Sequence, residues 1–405
     1  MPGIGSEAQL ILACARTTID FETSERIRAL LREDVDWDYV IEKAEQHCIM
    51  PLLYSNLSNL CPEAVPDGVM EKLRHNFQAH VWRNLFLTRE LVRVLNLLES
   101  ENIPALPFKG PLLSALAYGN VSLRQFSDLD ILVREQDALR AKRFLVSLGY
   151  RAQMSQTWMQ KVAPRLSRKK DLVLVSADGR VRIELHWRLT GRHFSFPIDT
   201  KGFWECLDRE SLAGSTVRNL PLNLLLLFLC MHGSRHGWER LAWICDIAEL
   251  IRGNQNLNWE TLLEQAGVLG NERNLALGLF LANDLLGVSL PEDILRRIQA
   301  DPMVRPLAAQ VRDLLFRGDA VARDISYWHT YHLSVRERLR DRLRLRLHYY
   351  LRYAHIAMTP TAQDEAALPL PGYLSFLYYF SRPIRLAKIY GSRSLKQLVK
   401  RRIRD

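Results

Sequence analysis

The sequence predicts an α+β protein in which a small mixed sheet is flanked by helical amino- and carboxyl-terminal regions. Three observations carry this. Helical spacing of apolar residues with few strand signals runs through residues 6–98. Short Val/Ile/Leu-rich runs, broken by Pro and Gly, then cluster between residues 99 and 190. Helical spacing resumes over 191–320, and a basic helical region closes the chain at 321–405.

The first region holds a helical stretch from Asp34 to Leu60, interrupted by Pro51. Proline suits the first turn of a second helix, where its missing N–H costs nothing. Another helix is predicted from Met70 to Leu98. The pattern changes at Ile103: IPALPFKG reads as a short buried strand entering a tight turn at Gly110, and PLLSALAYG as a helix closed by Gly119. SDLDILV follows as a strand, then a helix from Gln136 to Leu148 that ends at Gly149. Leu172–Ser176 and Val181–Trp187 form a hairpin around the Asp178–Gly179 turn.

Composition narrows the function classes. With 405 residues, 48% hydrophobic and 25% charged, the chain can bury a large core. The longest apolar run, Leu224–Met231, has eight residues, against roughly 20 for a bilayer span. The amino terminus carries no secretory pattern, so a cytoplasmic location is expected. Cysteines 14, 48, 61, 206, 230 and 245 are scattered without a CxxC pair and read as reduced core residues.

The net charge of +10 is concentrated. Residues 382–405 hold nine Lys/Arg against one Asp, hence +8, which leaves +2 for the remainder. Val335–Tyr353 has seven Arg against one Glu and one Asp. Leu339, Leu343 and Leu347 recur there every four residues, which marks a helix with one buried stripe. Its charged side reads as a solvated face or as a surface for an anionic partner or membrane.

The stretch SLRQFSDLDILVRE, Ser122–Glu135, places Asp128 and Asp130 one residue apart at the mouth of an apolar strand. Strand side chains alternate, so both carboxylates share a face. By the same rule Arg182, Glu184 and His186 share one face of the second hairpin strand, and Glu184 becomes a candidate third acid. Close carboxylates repel unless a cation neutralises them, and hard oxygen ligands suit Mg²⁺ or Mn²⁺.

These residues resemble the nucleotidyltransferase superfamily that includes DNA polymerase β and the minimal antitoxin-type transferases. The signature is a glycine turn after a strand, then a helix, then an Asp-x-Asp strand with a further acid later. Here it reads Lys109-Gly110, the helix from Pro111, Arg124 to Val133 with Ser127, Asp128 and Asp130, and then Glu184. More narrowly, FKGPLLSALAYGN, SDLDILV, IELHWRL and HGSRHGWERLAWICDIAEL are similar to an uncharacterised bacterial nucleotidyltransferase family, over roughly residues 35–255.

The resemblance implies a metal-dependent enzyme that transfers NMP from an NTP to an acceptor, a small molecule, peptide or sugar phosphate, and releases pyrophosphate. Asp128 and Asp130 would hold Mg²⁺ or Mn²⁺, with Glu184 completing the site or acting as base. Gly110 would let the backbone approach the triphosphate, with Lys109 near the phosphates and Arg124 and Ser127 supporting the pocket. Two departures stand out: Lys109-Gly110-Pro111 replaces the usual Gly followed by Gly or Ser, and the third acid is Glu rather than Asp. The alternative is a non-catalytic nucleotide- or partner-binding protein that works through its basic carboxyl-terminal surface.

Three histidines are further candidates. His186 shares the face of Glu184 and is either a contact to nucleotide or acceptor or a structural residue. His232 and His236 are four apart on a predicted helix, a zinc spacing that lacks the Glu and third ligand of such sites, so an acceptor-side or structural role is expected.

Overall fold

The computed structural model describes residues 4–153, 171–189, 203–255, 257–316 and 325–386. The chain divides into two compact units, Met1–Arg317 and Gly318–Asp405.

The first unit opens with five helices, α1 (Ser6–Cys14), α2 (Phe21–Leu30), α3 (Trp37–Gln46), α4 (Met50–Leu60) and α5 (Asp67–Ser100). Their ends follow local chemistry. The Asp20 and Asp36 carboxylates accept the backbone N–H of Thr23 and Tyr39 at 2.7 and 3.0 Å, capping α2 and α3. Pro51 sits in the first turn of α4, as its spacing predicts.

The sheet follows. Strand β1 (Ala105–Pro107) leads into α6 (Gly110–Tyr118), β2 (Leu129–Val133), α7 (Ala138–Ser147), β3 (Arg151–Ala152), β4 (Asp171–Val175) and β5 (Arg182–His186). The spatial order is β1-β2-β5-β4-β3. Among the described strands the central β2–β5 pair is parallel, and β1–β2, β4–β5 and β3–β4 are antiparallel. The mixed sheet and its helical flanks agree with the predicted α+β class.

Alternation decides what each face meets. Leu129, Ile131 and Val133 of β2 and Ile183 and Leu185 of β5 join a core with Leu87, Leu91, Val94 and Leu98 of α5 and Ala141 and Leu145 of α7. The other face of the same two strands carries Asp130, Glu184 and His186. The predicted helix end at Gly119 is present, in the left-handed region at φ 65°.

A two-stranded hairpin, β6 (Asp208–Leu212) with β7 (Ser215–Asn219), lies in the stretch expected to be helical. Its turn residues Ala213 and Gly214 both have positive φ. The strand sequences DRESL and STVRN lack the apolar alternation that marks a strand, and Ala-Gly is a weak turn signal.

Six helices complete the unit: α8 (Leu222–Arg235), α9 (Leu241–Gly253), α10 (Trp259–Leu269), α11 (Glu272–Leu286), α12 (Glu292–Gln299) and α13 (Val304–Phe316). The apolar run at Leu224–Met231 is the buried body of α8. Among the described residues no helix is long and apolar enough to cross a membrane. All six cysteines are free; Cys14, Cys61, Cys230 and Cys245 are buried, whereas Cys206 is exposed and Cys48 lies between.

His47, at the end of α3, is fully enclosed and lies 3.1 Å from the Leu315 carbonyl through Nε2. Burial lowers this imidazole to about 4, against about 6.5 in an unfolded chain. Between those values the unfolded state binds a proton that the folded state does not, so stability falls as pH drops from about 6.5 and levels off below about 4. The expected His47 share of that loss at about pH 4.5 is on the order of 2 to 3 kcal/mol. Urea denaturation of wild type and His47→Gln at neutral and acid pH measures it, with the wild type losing more by that amount.

The second unit contains α14 (Ile325–Ser334), α15 (Leu339–Met358) and α16 (Ala362–Ala367), then a 3₁₀ turn, Gly372–Leu377, that runs into helical residues 378–386. Asp364 organises it. Its carboxylate accepts the Thr361 N–H at 2.8 Å and pairs with Arg382 and Arg385.

The expected burial of the Leu339/Leu343/Leu347 stripe is overturned. All three leucines are exposed, and α15 buries the face that carries Asp341 and Leu345 instead. Asp341 lies 3.7 and 3.8 Å from Arg340 and Arg344. The stripe is real, but it faces outward.

Candidate active site

The site is assembled by the register of β2 and β5. Asp130 stands opposite Glu184 across the parallel pair, and Leu132 opposite His186. Their ligand atoms converge: one oxygen each from Asp130 and Glu184 and one ring nitrogen of His186 lie within 4.8 Å of one another. His186 Nε2 is 3.0 Å from Asp130 Oδ1 and 3.6 Å from Glu184 Oε2. Asp171, opposite His186 on β4, brings Oδ2 to 3.8 Å from Nδ1.

Lys109 enters from the turn before α6, and its Nζ lies 3.0 Å from Asp130 Oδ2. Asp130 is buried, which alone would raise its carboxyl, but Lys109 and His186 outweigh this and hold it well below the usual range. The His186 ring likewise lowers Glu184 against the opposing effects of burial and Asp130. Asp128 goes the other way, raised by burial and then by the charge of Asp130. It sits half-buried just before β2, close enough to feel Asp130, Lys109 and Glu184, but outside the 4.8 Å group.

The turn that carries Lys109 has one conformation it must adopt. Gly110 has φ +58°, in the left-handed region, and a Cβ there would touch the Asp128 carbonyl oxygen at 3.4 Å. The amino end of α6 is thereby pressed against the strand mouth. The first turn of α6 offers backbone N–H groups and the positive end of a helix dipole, reduced by one donor at Pro111.

The loop between α6 and β2 is clamped from two sides. Arg124 Nε and a terminal guanidinium nitrogen donate to Asp246 Oδ1 and Oδ2 of α9 at 2.6 and 2.9 Å, and Tyr118 donates to the same carboxylate at 2.8 Å. Asn84 of α5 donates to the Val121 and Arg124 carbonyls at 2.7 and 2.8 Å. Arg124 therefore acts on the site through the backbone it anchors, and its guanidinium is held by Asp246. Ser127, by contrast, is exposed at the strand mouth.

The profile of a family described as uncharacterised nucleotidyltransferase matches residues 33–287, more than half of the chain. The chain belongs to this family. No curated protein and no solved structure matches it. The matched span includes the whole β2–β5 cluster, Lys109–Gly110 and the Arg124–Asp246 clamp.

A wall of rings adjoins the acids. Phe108 meets His186 edge-on at 5.1 Å and Phe228 at 5.2 Å. The rings continue through His232, His236 and Trp243 at 4.7 to 5.9 Å. Burial, reinforced by Lys109, pushes His232 well below the ordinary histidine value, so it stays neutral. Among the described residues, His232 and His236 belong to no three-residue group of metal ligands.

Two contributors are absent from the candidates read from the sequence. Asn84 is an ordinary polar residue within a long helix and carries no motif. Asp171 was within reach: a hairpin centred on Asp178–Gly179 puts residue 171 opposite residue 186.

Proposed function

We propose that this nucleotidyltransferase transfers a nucleoside monophosphate from an NTP to a hydroxyl, phosphate or amine of an acceptor. The acceptor atom bonds to the α-phosphorus, the bond to the oxygen bridging α- and β-phosphates breaks, and pyrophosphate leaves. The observation that carries the reading is the facing of Asp130 and Glu184 across two parallel strands, beside a glycine-led helix terminus.

The donor set fits a divalent cation. Asp130 and Glu184 supply hard oxygens, and neighbouring Asp128 supplies a further carboxylate, a combination suited to Mg²⁺ or Mn²⁺. When bound, the cation neutralises phosphate charge in the transition state. His186 holds Asp130 in place, and Glu184 receives the proton released by the acceptor. Lys109, already within the site, contacts the triphosphate, and the α6 terminus and exposed Ser127 line its approach.

Calorimetric titration of each NTP into the full chain, with Mg²⁺ and with chelator, tests this. Binding that requires the cation is the expected result, and absence of any nucleotide binding by a folded chain would overturn the reading. Lys109→Met is expected to weaken NTP binding about tenfold or more, while Mn²⁺ alone still binds because its carboxylate ligands remain.

A further inference from the structure

The outward stripe of α15 gives the second unit an apolar surface of its own. Leu339, Leu343, Leu347 and Leu351 are 68%, 54%, 59% and 62% exposed, and Tyr350, Ala354 and Met358 are exposed beside them. At 100° per residue these positions share one side of the helix. The same unit exposes Phe376, Phe380 and Ile384, again four residues apart. A soluble domain does not ordinarily leave whole stripes of large apolar side chains in water.

The flanks of the stripe are cationic. Arg340 and Arg344 border it on one side and Arg342 and Arg346 on the other, and among these Arg340, Arg344 and Arg346 are exposed. The one acid of the helix, Asp341, is buried off the stripe, 3.7 and 3.8 Å from Arg340 and Arg344, so the exposed rim itself carries arginines and no acid. An apolar stripe edged by arginines is the pattern of a helix that lies in the plane of a bilayer interface.

We propose that α15 docks this unit on an anionic lipid surface, with the leucine stripe entering the acyl boundary and the arginines meeting headgroup phosphates. Charge complementarity selects this occupant. A second copy of the same face would set arginines against arginines. A nucleic-acid strand would meet the arginines but leave Leu343 and Leu347, at the centre of the stripe, without apolar partners.

Sedimentation of the full chain with vesicles tests the proposal, using phosphatidylcholine alone and phosphatidylcholine with about a quarter phosphatidylglycerol. Partition into the anionic vesicles is expected to exceed that into neutral ones by about tenfold or more, and to fall as salt is raised. Leu343→Glu/Leu347→Glu is expected to reduce it about tenfold or more. Arg340→Glu/Arg344→Glu should lose the preference for anionic lipid. All four positions are exposed, so both variants should keep the far-UV circular dichroism of the wild type. Failure to bind anionic vesicles, equal binding to neutral ones, or full binding by the leucine variant would each overturn the proposal. So would retention of single-stranded RNA by a chain that ignores vesicles.

Discussion

Asp130→Asn is expected to weaken cation-dependent NTP binding by at least about a hundredfold. Asparagine keeps the shape of the side chain but removes the charge that Lys109 and His186 both address, at 3.0 Å each. Glu184 stands on its own strand opposite Asp130, and Asp128 follows the loop that Arg124 and Asp246 clamp, so neither occupies the buried Asp130 position. Calorimetry with Mn²⁺ alone and with Mn²⁺ and NTP measures the effect. A variant that binds both like the wild type would remove Asp130 from the site. Asp128→Asn provides the comparison: lying outside the tight group, it is expected to lose less Mn²⁺ affinity than Asp130→Asn.

The second large effect is structural. Asp246→Ala leaves the buried Arg124 guanidinium without its counter-charge and takes away the acceptor of Tyr118. Removing one partner of such a pair costs about 3 to 5 kcal/mol, because the remaining charge stays desolvated. Urea denaturation should therefore show a lower midpoint with unchanged slope. Replacing both members, Arg124→Met/Asp246→Leu, should recover most of that stability. NTP binding separates stability from function: the double variant is expected to remain folded yet bind less tightly, since the loop that leads into Asp128 has lost one of its two anchors.

Particular elements show what the letters could carry. The Asp-x-Asp strand was legible from its Leu, Ile and Val content and the hairpin from its Asp178–Gly179 turn, and a period of two then assigned faces without knowledge of neighbours and led to Glu184. The partner of Arg124 was not, since Asp246 is 122 residues away and nothing local to either residue reports their meeting. Lys109 was expected near phosphates; its pairing with Asp130 depends on how the α6 turn is pressed against β2, which is a matter of tertiary packing. The α15 stripe failed in an instructive way. A four-residue spacing says that Leu339, Leu343 and Leu347 lie together, but not whether protein or solvent faces them. The β6–β7 hairpin failed for the opposite reason, its polar strands giving no periodic signal at all.

The parallel pairing of β2 with β5 has a consequence for the newborn chain. Asp130 and His186 are 56 residues apart in sequence, and Asp246 lies further on, so a ribosome that has delivered only the first strand has delivered no site. Local contacts such as the β4–β5 hairpin can close early, whereas the pairing that brings Glu184 to Asp130 must wait for a longer loop to close. Cation binding would then serve as a timestamp. Nascent chains arrested at increasing lengths should acquire it only after β5 has emerged and found β2, which makes the acidic cluster a witness to its own completion.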